Sequence, residues 1–492
     1  MELKELLKGI RVKKVTGSTR LDIKGITINS KGKMPSTVFV SIAGLEKDGH
    51  DFAEEAIKNG AVAVFVQKIL DLPDCIPQMV VDNCREILPI LCRNFYRNPS
   101  KYFKLVGVTG TNGKTTTCFL INSILNSAGL KTSIITTVQS AIDDKLMIFD
   151  RTTPESIDLN RFFDKSRNEN IDSACMEVSS HSIDLHRVDY LKFDYFVFTN
   201  LSQDHLDYHK NMERYFNVKK KLFLKENRDI YGGKCAVINI DDNYGMNIKK
   251  YTDLNVISFS LKDRKADIIA SNIKNSLSGI EMNINYYKDQ QVRIYSPLCG
   301  YFNIYNILAA IGVCIGMGVE IGYIKEGIKK ISGVKGRFEK IDLDKNIRVI
   351  VDYAHTPDGL ENVLKTARTI LKAGNKLISV FGCGGDRDRL KRKIMGKISS
   401  EIADFTIITS DNPRTEDPQT IINMIEEGFT GKQSKKYIKE NDRKKAIVTA
   451  LDMAEENDII LIAGKGHEDY QDFKDCRIHF SDQEVVRQWG NK

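Results

Sequence analysis

The chain has 492 residues, of which 41% are hydrophobic and 28% are charged, and its formal net charge is +8. This length predicts two to four domains, and this composition is that of a soluble globular protein. No apolar run reaches the length of a signal peptide or of a membrane span, so we expect a cytoplasmic protein without membrane insertion.

The ten cysteines and the distribution of positive charge argue against several kinds of site and partner. No C-x-x-C pair occurs, which favours buried reduced thiols over disulfides or zinc ligands. The positive charge is spread along the chain, with only short clusters such as 219–221. A nucleic-acid-binding protein would more often show a basic stripe interleaved with aromatic residues. We therefore expect no nucleic-acid partner, since an acidic small-molecule substrate explains the charge at least as well.

Residues 1–98 alternate strand and helix signals and form the first predicted domain, a smaller α/β unit. Segments 36–42 and 61–66 predict strands, and 84–96 predicts a helix. Pro99 disfavours helical backbone in the residue before it, so the first boundary is placed there.

A phosphate-binding loop is predicted at 106–117, VGVTGTNGKTTT. A short apolar strand, 104–108, precedes glycines and a Lys-Thr pair, and an apolar-periodic helix follows from Thr115. In such a loop, main-chain N–H groups and the positive helix end surround phosphate oxygens, the lysine neutralises them and the threonine hydroxyl binds magnesium. The strict pattern has glycine where Val108 stands. A glycine-rich turn before an ordinary helix is the alternative, which the Lys-Thr pair disfavours.

The second predicted domain, 99–332, continues as an α/β unit with a mostly parallel sheet. Further strands are predicted at 133–137, 174–178, 195–199 and 236–240, an antiparallel edge at about 260–296, and a helix at about 303–317. Glu177 and His205 each follow a predicted strand, where they could complete a magnesium shell or position phosphates. A capping glutamate and a surface histidine are equally acceptable interpretations of either residue alone.

The third predicted domain, 333–492, has four apolar runs at 348–351, 377–381, 405–409 and 459–463. Each run is typical of a buried parallel strand, and each ends in a polar cluster: 352–357, 382–388, 410–414 and 464–469. Ligands bind outside the carboxyl ends of such strands. Any single cluster could be a turn, but four in succession indicate one site along a sheet edge.

No protein nucleophile is indicated, because the chain lacks G-x-S-x-G, a defensible Cys–His pair, zinc spacing and the kinase signatures. An ATP site joined to a second site at a sheet edge favours a reaction between two bound substrates. ATP would activate one of them by phosphoryl transfer, and the protein would supply positioning and charge neutralisation.

Nine motifs in order make the chain resemble the Mur ligases of bacterial cell-wall synthesis: TGTNGKTTT, RTTPES, MEVSSHS, FTNLSQDHLDYH, GRFE, DYAHTPDGLENVL, GCGGDRDR, SDNPRTEDP and GKGHEDYQ. The resemblance implies a monomer with an N-terminal domain for the uridine nucleotide, a central P-loop ATPase and a C-terminal Rossmann-like domain for the incoming amino acid. It implies ATP-dependent addition of the third residue to UDP-MurNAc-L-Ala-D-Glu. The D-glutamate carboxylate would form an acyl phosphate, and an amine would then displace phosphate.

The resemblance also assigns roles. It implies catalytic roles for Lys114, Glu177, His205 and Lys219, and magnesium ligands in Thr115, Glu177, His205 and a CO2-derived carbamate on Lys219. A solvated triplet at 219–221 is the alternative for that lysine. It implies ATP contacts from Gly110, Thr111, Asn112, Gly113, Lys114, Thr115, Thr116, Asn303, Arg337, Asp352 and His355. For the UDP-MurNAc-dipeptide it implies Ser30, Thr152, Thr153, Ser179 and Arg187.

Two positions depart from the family pattern: Leu185 stands where relatives often have Gln, and Arg151 where they often have Asn. Each departure would cost a hydrogen bond or change its partner without removing the site.

The cluster at 411–414, DNPR, is the form that resembles family members adding meso-diaminopimelate. The distal carboxylate of that amino acid suits the guanidinium of Arg414, whereas L-lysine would leave a buried arginine unpaired, at a cost of about 3–5 kcal/mol. The expected diaminopimelate site comprises Arg387, Asp411, Asn412, Pro413, Arg414, Gly464 and Glu468. A surface arginine in a turn is the weaker interpretation of Arg414.

Three alternative functions remain at this point. One is the same ligase acting on L-lysine, and another is a ligase like folylpolyglutamate synthetase, disfavoured by the long segment before the phosphate loop. The third, from a different class, is a P-loop ATPase or GTPase switch, for which no Asn-Lys-x-Asp run is present.

Overall fold

The computed structural model describes residues 1–44, 47–287, 290–343, 346–430 and 436–491. Its strands form three large sheets, and one sheet lies within each of the three predicted domain ranges. Within these described ranges, no helix has both the length and the apolar composition needed to cross a bilayer. All ten cysteines are free thiols; eight are buried, as expected, whereas Cys75 and Cys476 are exposed.

The N-terminal domain is a five-stranded sheet covered by short helices. Its strands are β1 (Lys14–Thr16), β2 (Gly25–Thr27), β3 (Thr37–Val40), β4 (Ala61–Val66) and β5 (Gln78–Val80). Its helices are α1 (Leu3–Leu6), a 3-10 turn (Gly49–Phe52), α2 (Ala53–Lys58) and α3 (Cys84–Phe95). The strand order is β1-β5-β4-β3-β2, with only the β1–β5 pair antiparallel. The predicted strand 36–42 is thus shorter than expected, while β4 matches.

The central domain contains an eleven-stranded sheet. Its strands are β6 (Lys104–Thr109), β7 (Thr132–Ile135), β8 (Ser140–Ile142), β9 (Lys145–Met147), β10 (Ser173–Glu177), β11 (Phe193–Phe198), β12 (Gly232–Asn239), β13 (Asn255–Ser260), β14 (Ile268–Ser276), β15 (Gly279–Tyr286) and β16 (Gln290–Ser296). They are ordered β16-β15-β14-β13-β12-β11-β6-β10-β7-β8-β9. Seven adjacent strands pair in parallel, in the order β14-β13-β12-β11-β6-β10-β7. The predicted antiparallel edge is formed by β14, β15 and β16.

Helices cover both faces of this sheet. They are α4 (Lys114–Ser127), α5 (Ser156–Asn168), α6 (Ser180–Asp184), α7 (Leu206–His209), α8 (Met212–Lys220), α9 (Arg228–Tyr231), α10 (Asn243–Tyr251), α11 (Tyr301–Gly316) and α12 (Ile321–Lys330), with 3-10 turns at Pro99–Tyr102, Lys221–Phe223 and Lys225–Asn227. In β10, Ala174 and Met176 belong to one apolar core and Cys175 to another. A strand buried on both faces reads as a continuous apolar run, which is why it was predictable.

The C-terminal domain contains a six-stranded sheet and a small hairpin. Its strands are β17 (Glu339–Ile341), β18 (Arg348–Asp352), β19 (Leu377–Phe381), β20 (Phe405–Thr409), β21 (Tyr437–Glu440), β22 (Ile459–Ala463), β23 (Tyr470–Asp472) and β24 (Arg477–His479). Its helices are α13 (Pro357–Ile370), α14 (Leu390–Ile402), α15 (Pro418–Glu426), α16 (Arg443–Met453) and α17 (Asp482–Gly490). All four predicted runs are strands, adjacent and parallel in the order β18-β22-β19-β20. Their carboxyl ends therefore meet at one edge.

Candidate active site

The phosphate loop links β6 to α4, which begins at Lys114, one residue earlier than predicted. Gly110 and Gly113 have φ angles of 148° and 84°, which disfavour any side chain. A Cβ at 110 would lie 1.9 Å from Thr199 Oγ1, and a Cβ at 113 would lie 2.2 Å from Asn306 Oδ1. Both glycines are therefore required by space as well as by backbone conformation.

Two lysines converge on this loop, of which Lys219 is buried and Lys114 is partly buried. Lys114 Nζ donates to the carbonyl oxygens of Gly110 (3.0 Å) and Thr111 (2.8 Å), and Lys219 Nζ donates to the same Gly110 carbonyl (3.0 Å). Burial lowers the pKa of both amines, and for Lys219 the neighbouring Lys114 lowers the pKa further. Two cations this close inside a protein repel each other unless an anion joins them or one becomes neutral.

Thr115 and Glu177 meet beside the lysines, although 62 residues separate them in the chain. Thr115 Oγ1 donates to Glu177 Oε1 at 2.8 Å, and the backbone N–H of Thr137 donates to the same oxygen at 2.9 Å. Arg337 lies in the segment 331–338 that connects α12 to β17, here called the hinge, and it donates to Thr115 Oγ1 at 3.3 Å. The prediction that Thr115 and Glu177 share one site thus has a matching geometry, with hard oxygen donors of the kind that magnesium binds.

A histidine cluster lies next to this pair. The rings of His181 and His205 are 4.9 Å apart, and His205 Nε2 is 3.2 Å from Asp204 Oδ2. Burial lowers the pKa of His205 to about 3 and that of His209 to about 4, so both rings are neutral at pH 7. A neutral imidazole can bind a metal, whereas an imidazolium cannot.

Three further residues that are expected to bind ATP lie in α11 and at the end of β18. Asn303 is buried and donates to the Cys299 carbonyl at 2.8 Å. The carboxylate of Asp352 accepts the backbone N–H groups of Phe338 (2.6 Å) and Ala354 (2.7 Å), and its burial raises its pKa to about 6. Asp352 therefore holds the hinge in shape. His355, in the next loop, is neutral because burial lowers its pKa.

Four of the five residues expected to bind the UDP-MurNAc-dipeptide gather around Glu177. Thr153 Oγ1 donates to the Glu177 carbonyl at 2.9 Å, the Ser179 N–H donates to Thr153 Oγ1 at 3.1 Å, and Arg187 donates to the Thr153 carbonyl at 3.3 Å. Thr152 is joined through Thr137 at 3.1 Å. Ser30 is in the N-terminal domain, where its hydroxyl is buried against Glu55.

A buried carboxylate that sequence reasoning missed organises this region. Glu155 contacts three guanidinium groups: Arg85 at 2.8 Å, Arg187 at 2.9 Å, and Arg151. Arg85 comes from the N-terminal domain, so Glu155 also ties two domains together. Arg151, one of the two departures from the family pattern, thus finds an ionic partner instead of the amide contact. In the sequence, nothing indicates that residues 70 positions apart would meet.

The phosphate loop touches the C-terminal domain as well. Asn112 Nδ2 and Ser202 Oγ each donate to Asp358 Oδ2 at 2.9 Å. Asp358 lies in the first turn of α13, next to the strand-end cluster 352–357. These contacts bring the triphosphate loop and the C-terminal sheet edge together.

A cavity of about 320 Å³ opens between the central and C-terminal domains. Its walls come from both domains: Gln203, Asp204, His205, Asp207, Tyr353, His355, Thr356, Pro357, Gly384, Arg387, Asp388, Lys391, Asp411, Asn412, Arg414, Gly464, Glu468 and Tyr470. Six of the seven residues expected to bind diaminopimelate line it, and so does His205. One cavity therefore joins the phosphate-loop side to the sheet edge.

The cations of this cavity share an unusual bonding pattern. The walls carry three cationic side chains, Arg387, Lys391 and Arg414, and five carboxylates. None of the three cations forms an ion pair with a described residue. Each donates to a main-chain carbonyl instead: Arg387 to Asp386 (2.9 Å), Lys391 to His355 (2.8 Å) and Arg414 to Gly385 (2.6 Å). A neutral carbonyl compensates a cation only partly. These three groups can therefore accept anionic ligands.

The polar cluster 411–414 is held rigidly by its neighbours. Asn412 accepts from the buried Lys465 at 3.0 Å and donates to Glu468 at 2.9 Å. Arg414 has a φ of 52°, and its backbone N–H bonds to the Asp472 carbonyl at 2.9 Å. The guanidinium is partly buried rather than fully enclosed, which corrects the expectation of a buried arginine, and Arg387 is exposed.

Two further features of the sheet edge were not predicted from the sequence or were predicted only in part. Gly464 has a φ of 114°, and a Cβ there would lie 2.5 Å from Asp411 Oδ2, so its role includes making room. Arg443 and Asp482 form a fully buried ion pair at 2.8 Å, and Arg443 also donates to the carbonyl of Ala463 at 3.0 Å. In the sequence, Arg443 appears only as part of the exposed-looking run NDRKK.

Three profiles of one family match most of the chain. They are described as "Mur ligase family, catalytic domain" at residues 22–96, "Mur ligase middle domain" at 108–314 and "Mur ligase, glutamate ligase domain" at 336–466.

Curated relatives match the chain over its whole length. A protein of Clostridium tetani is 42% identical, with 99% of both chains covered, and one of Syntrophomonas wolfei is 43% identical, with 99% of this chain and 98% of its own covered. Both are named UDP-N-acetylmuramoyl-L-alanyl-D-glutamate--2,6-diaminopimelate ligase. A solved structure of that name covers 100% of this chain and 99% of its own at a TM-score of 0.70 and 30% identity. A folylpolyglutamate synthase of Mycobacterium tuberculosis shares the fold, at a TM-score of 0.63 and 16% identity over 82% of this chain and 94% of its own.

Proposed function

The chain belongs to the Mur ligase family and is a ligase, and on that premise we propose that it joins meso-2,6-diaminopimelate to UDP-MurNAc-L-Ala-D-Glu at the expense of ATP. The relatives above carry that activity in their names. The product would be a peptidoglycan precursor, and ADP and phosphate would be the by-products. We place the reaction in the cytoplasm, with the protein acting as a monomer.

The observation that carries this proposal is the shared cavity between the domains. His205, beside the phosphate loop, and Arg414, at the C-terminal sheet edge, line the same space of about 320 Å³. An acyl phosphate made on the first side could therefore meet an amine held on the second side without leaving the protein. A nucleotide switch has no use for such a second polar site.

The chemistry proceeds in two displacements. The γ-carboxylate of D-glutamate attacks the γ-phosphorus of ATP, the bond from that phosphorus to the bridging oxygen breaks, and ADP leaves. The amine then attacks the acyl carbon, a C–N bond forms, and phosphate leaves with the electrons of the C–O bond. Lys114 would neutralise the transferring phosphoryl group, and Arg187 with Thr153 and Ser179 would orient the carboxylate. Thr152 and Ser30 would hold the remainder of the UDP-MurNAc-dipeptide.

The nucleotide would lie against the phosphate loop, from Gly110 to Thr116. The backbone N–H groups of Thr111 and Asn112 donate to Asn200 at 2.9 Å each, so the phosphate oxygens would meet the N–H groups from Gly113 to Thr116 at the start of α4. Arg337 bonds to Thr115 and is the hinge residue best placed to reach a phosphate oxygen. Asn303 would shape the pocket from α11, and Asp352 and His355 would do so from the end of β18.

The residues around Thr115 fit a magnesium ion. Thr115 Oγ1 and the Glu177 carboxylate already approach one another at 2.8 Å, and both are oxygen donors. His205 and a modified Lys219 would complete the protein's share. A bound magnesium ion would withdraw negative charge from the phosphate oxygens and so make the phosphorus easier to attack. Within the described ranges, no cluster of three His, Cys, Asp or Glu side chains is preformed for a metal, so phosphate oxygens are needed as ligands.

Lys219 fits the proposed carbamate. Burial and the charge of Lys114 lower the pKa of its amine, which favours the neutral form that attacks CO2. The ammonium first loses one proton, and the amine then forms an N–C bond to CO2 with loss of a second proton, so that a repelled cation becomes an anion beside Lys114. That exchange would remove the repulsion described above and supply an oxygen ligand.

Specificity for meso-diaminopimelate would come from the sheet edge. Arg414 and Arg387 would hold its two carboxylates, while Asp411 and Glu468 would receive its ammonium groups. Asn412 fixes Glu468, and Pro413 with Gly464 would fix the backbone and make room. L-lysine, which has no distal carboxylate, would leave one of the two guanidinium groups without an anion.

The deciding experiment supplies purified protein with ATP, UDP-MurNAc-L-Ala-D-Glu and either meso-diaminopimelate or L-lysine. We expect phosphate release and a tripeptide product only with diaminopimelate. Release with lysine alone would reassign the amine substrate, and release without any amine would indicate a nucleotide hydrolase instead.

A further inference from the structure

The proposed substrates leave one cation of the cavity without an assigned partner. Diaminopimelate has two carboxylates. The cavity has three cations whose hydrogen bonds, among the residues that the structure describes, go to main-chain carbonyls: Arg387, Lys391 and Arg414. The third cation would face an anion that does not belong to the amino acid. This reasoning rests on the proposed function, because that function supplies the count of carboxylates.

Lys391 is the most deeply buried of these three cations. It lies in the first turn of α14, its residue is 8% exposed, and its Nζ is 2.8 Å from the His355 carbonyl. Its charge acts on Asp204 of the central domain, where it contributes to lowering the pKa of that carboxyl beside His205. Arg387, by contrast, is exposed.

A buried lysine without a carboxylate partner destabilises the folded protein unless a ligand supplies negative charge. Other buried cations of this domain have such partners: Arg443 has Asp482, Arg392 has Glu416, and Lys465 has Glu468. The absence of a carboxylate partner for Lys391, among the residues that the structure describes, is therefore specific to the cavity.

We propose that Lys391 Nζ binds the phosphoryl group of the acyl phosphate and stabilises it as it leaves. In that step the amine nitrogen forms a bond to the acyl carbon, and the carbon–oxygen bond to phosphate breaks with its electron pair moving to phosphate. Of the two protons that the ammonium loses, one leaves on HPO4²⁻ and the other goes to solvent. Lys391 keeps its proton throughout and acts by charge.

This role makes the C-terminal domain a participant in the chemistry as well as a holder of the amine. The lysine comes from α14 and the acyl phosphate forms in the central domain, so the charge is available only when the two domains are together. Acyl phosphate would thus be displaced rapidly only in the arrangement that also presents the amine.

The test uses the full-length protein with ATP, UDP-MurNAc-L-Ala-D-Glu and meso-diaminopimelate. Lys391→Gln removes the charge while its amide can still donate to the His355 carbonyl, and Lys391→Arg retains the charge. We expect kcat to fall about 10²- to 10³-fold in Lys391→Gln, as for loss of one oxyanion-stabilising donor. The KM for diaminopimelate should change by less than about threefold, and Lys391→Arg should keep at least about a tenth of kcat.

Lys393→Met is the matched control, since Lys393 is an exposed lysine of the same helix that pairs with Glu427 at 3.7 Å. It should behave as the wild type, and thermal unfolding of all variants shows whether folding is intact. A raised KM for diaminopimelate with unchanged kcat would mean that Lys391 binds the amino acid and would overturn the proposal. So would an unchanged kcat, or equal losses in the Gln and Arg variants. A wild-type protein without diaminopimelate-dependent phosphate release would instead refute the proposed function.

Discussion

Replacing Arg414 with methionine tests the assignment of the amine substrate most directly. Methionine keeps much of the apolar stem but removes the guanidinium, whose present bond in the structure is to the Gly385 carbonyl at 2.6 Å. A substrate carboxylate would add two charge-assisted hydrogen bonds, each worth about 1.5–3 kcal/mol. The loss of about 3–6 kcal/mol corresponds to a fall of about 10²- to 10⁴-fold in kcat/KM for diaminopimelate.

The assay is steady-state phosphate release with diaminopimelate and with L-lysine, at saturating ATP and UDP-MurNAc-dipeptide. The KM for ATP should stay within about twofold, because removing a binding group affects the ligand that it contacts. Arg389→Met serves as the control, since Arg389 is exposed and pairs with Glu416 at 3.3 Å outside the cavity lining. The preference for diaminopimelate over lysine should fall in Arg414→Met and persist in Arg389→Met.

Two results would refute the reasoning. One is a kcat/KM for diaminopimelate within about threefold of the wild type, which is too small for a lost charge-assisted bond. The other is an equal loss for diaminopimelate, lysine and ATP, which would indicate damage to the fold and no role in selecting the amine.

Three further predictions concern charged groups elsewhere in the site. Asp482→Asn leaves Arg443 buried without its anion, so the free energy of unfolding measured in urea should fall by about 3–5 kcal/mol. The KM for diaminopimelate should rise because Arg443 also bonds to the end of β22, and unchanged stability would contradict this prediction. Bonds from Arg392 lower the pKa of Glu416 to about 2, so its stabilisation is complete above its ordinary pKa of 4.5 and is lost as the pH falls toward 2. Glu416→Gln should be less stable at pH 7 and should lose less stability than the wild type between pH 4.5 and 2, as measured by thermal unfolding across that range; parallel curves would contradict the assignment. In Lys219→Arg, kcat should fall by about 10²-fold or more, as for the loss of one electrostatic contributor. Bicarbonate should restore phosphate release to the CO2-depleted wild type but not to this variant. Full activity of the variant would exclude the carbamate.

Local patterns predicted those parts of the fold that local forces determine. The four apolar runs of the C-terminal domain became strands because sheets covered on both faces require continuous apolar segments. The glycines at 110 and 113 were recognisable because the loop leaves no room for a Cβ. In contrast, helix 84–96 ended one residue early and strand 36–42 was shorter than predicted, since end positions depend on packing and capping that spacing does not encode.

Pairs that are distant in sequence were beyond this reasoning. Arg443 and Asp482 are 39 residues apart, and nothing in either segment marks it as buried. Arg85 and Glu155 likewise belong to different domains, so their ion pair exists only after those domains pack. The bonding of Lys391 to a carbonyl could not be predicted either, because a lysine in a charged helix is ordinarily solvated.

The contact from Asp358 to Asn112 and Ser202 has a consequence for the timing of turnover. Asn112 belongs to the loop proposed to hold the phosphates, so these bonds hold the C-terminal domain against that loop. On the proposed function, ATP would have to enter before these bonds form, and ADP would leave only after they break. Bonds to a charged acceptor are worth about 1.5–3 kcal/mol each, so two of them hold the closed state yet break readily by thermal motion. The turnover rate would then depend on how often these two hydrogen bonds to Asp358 break.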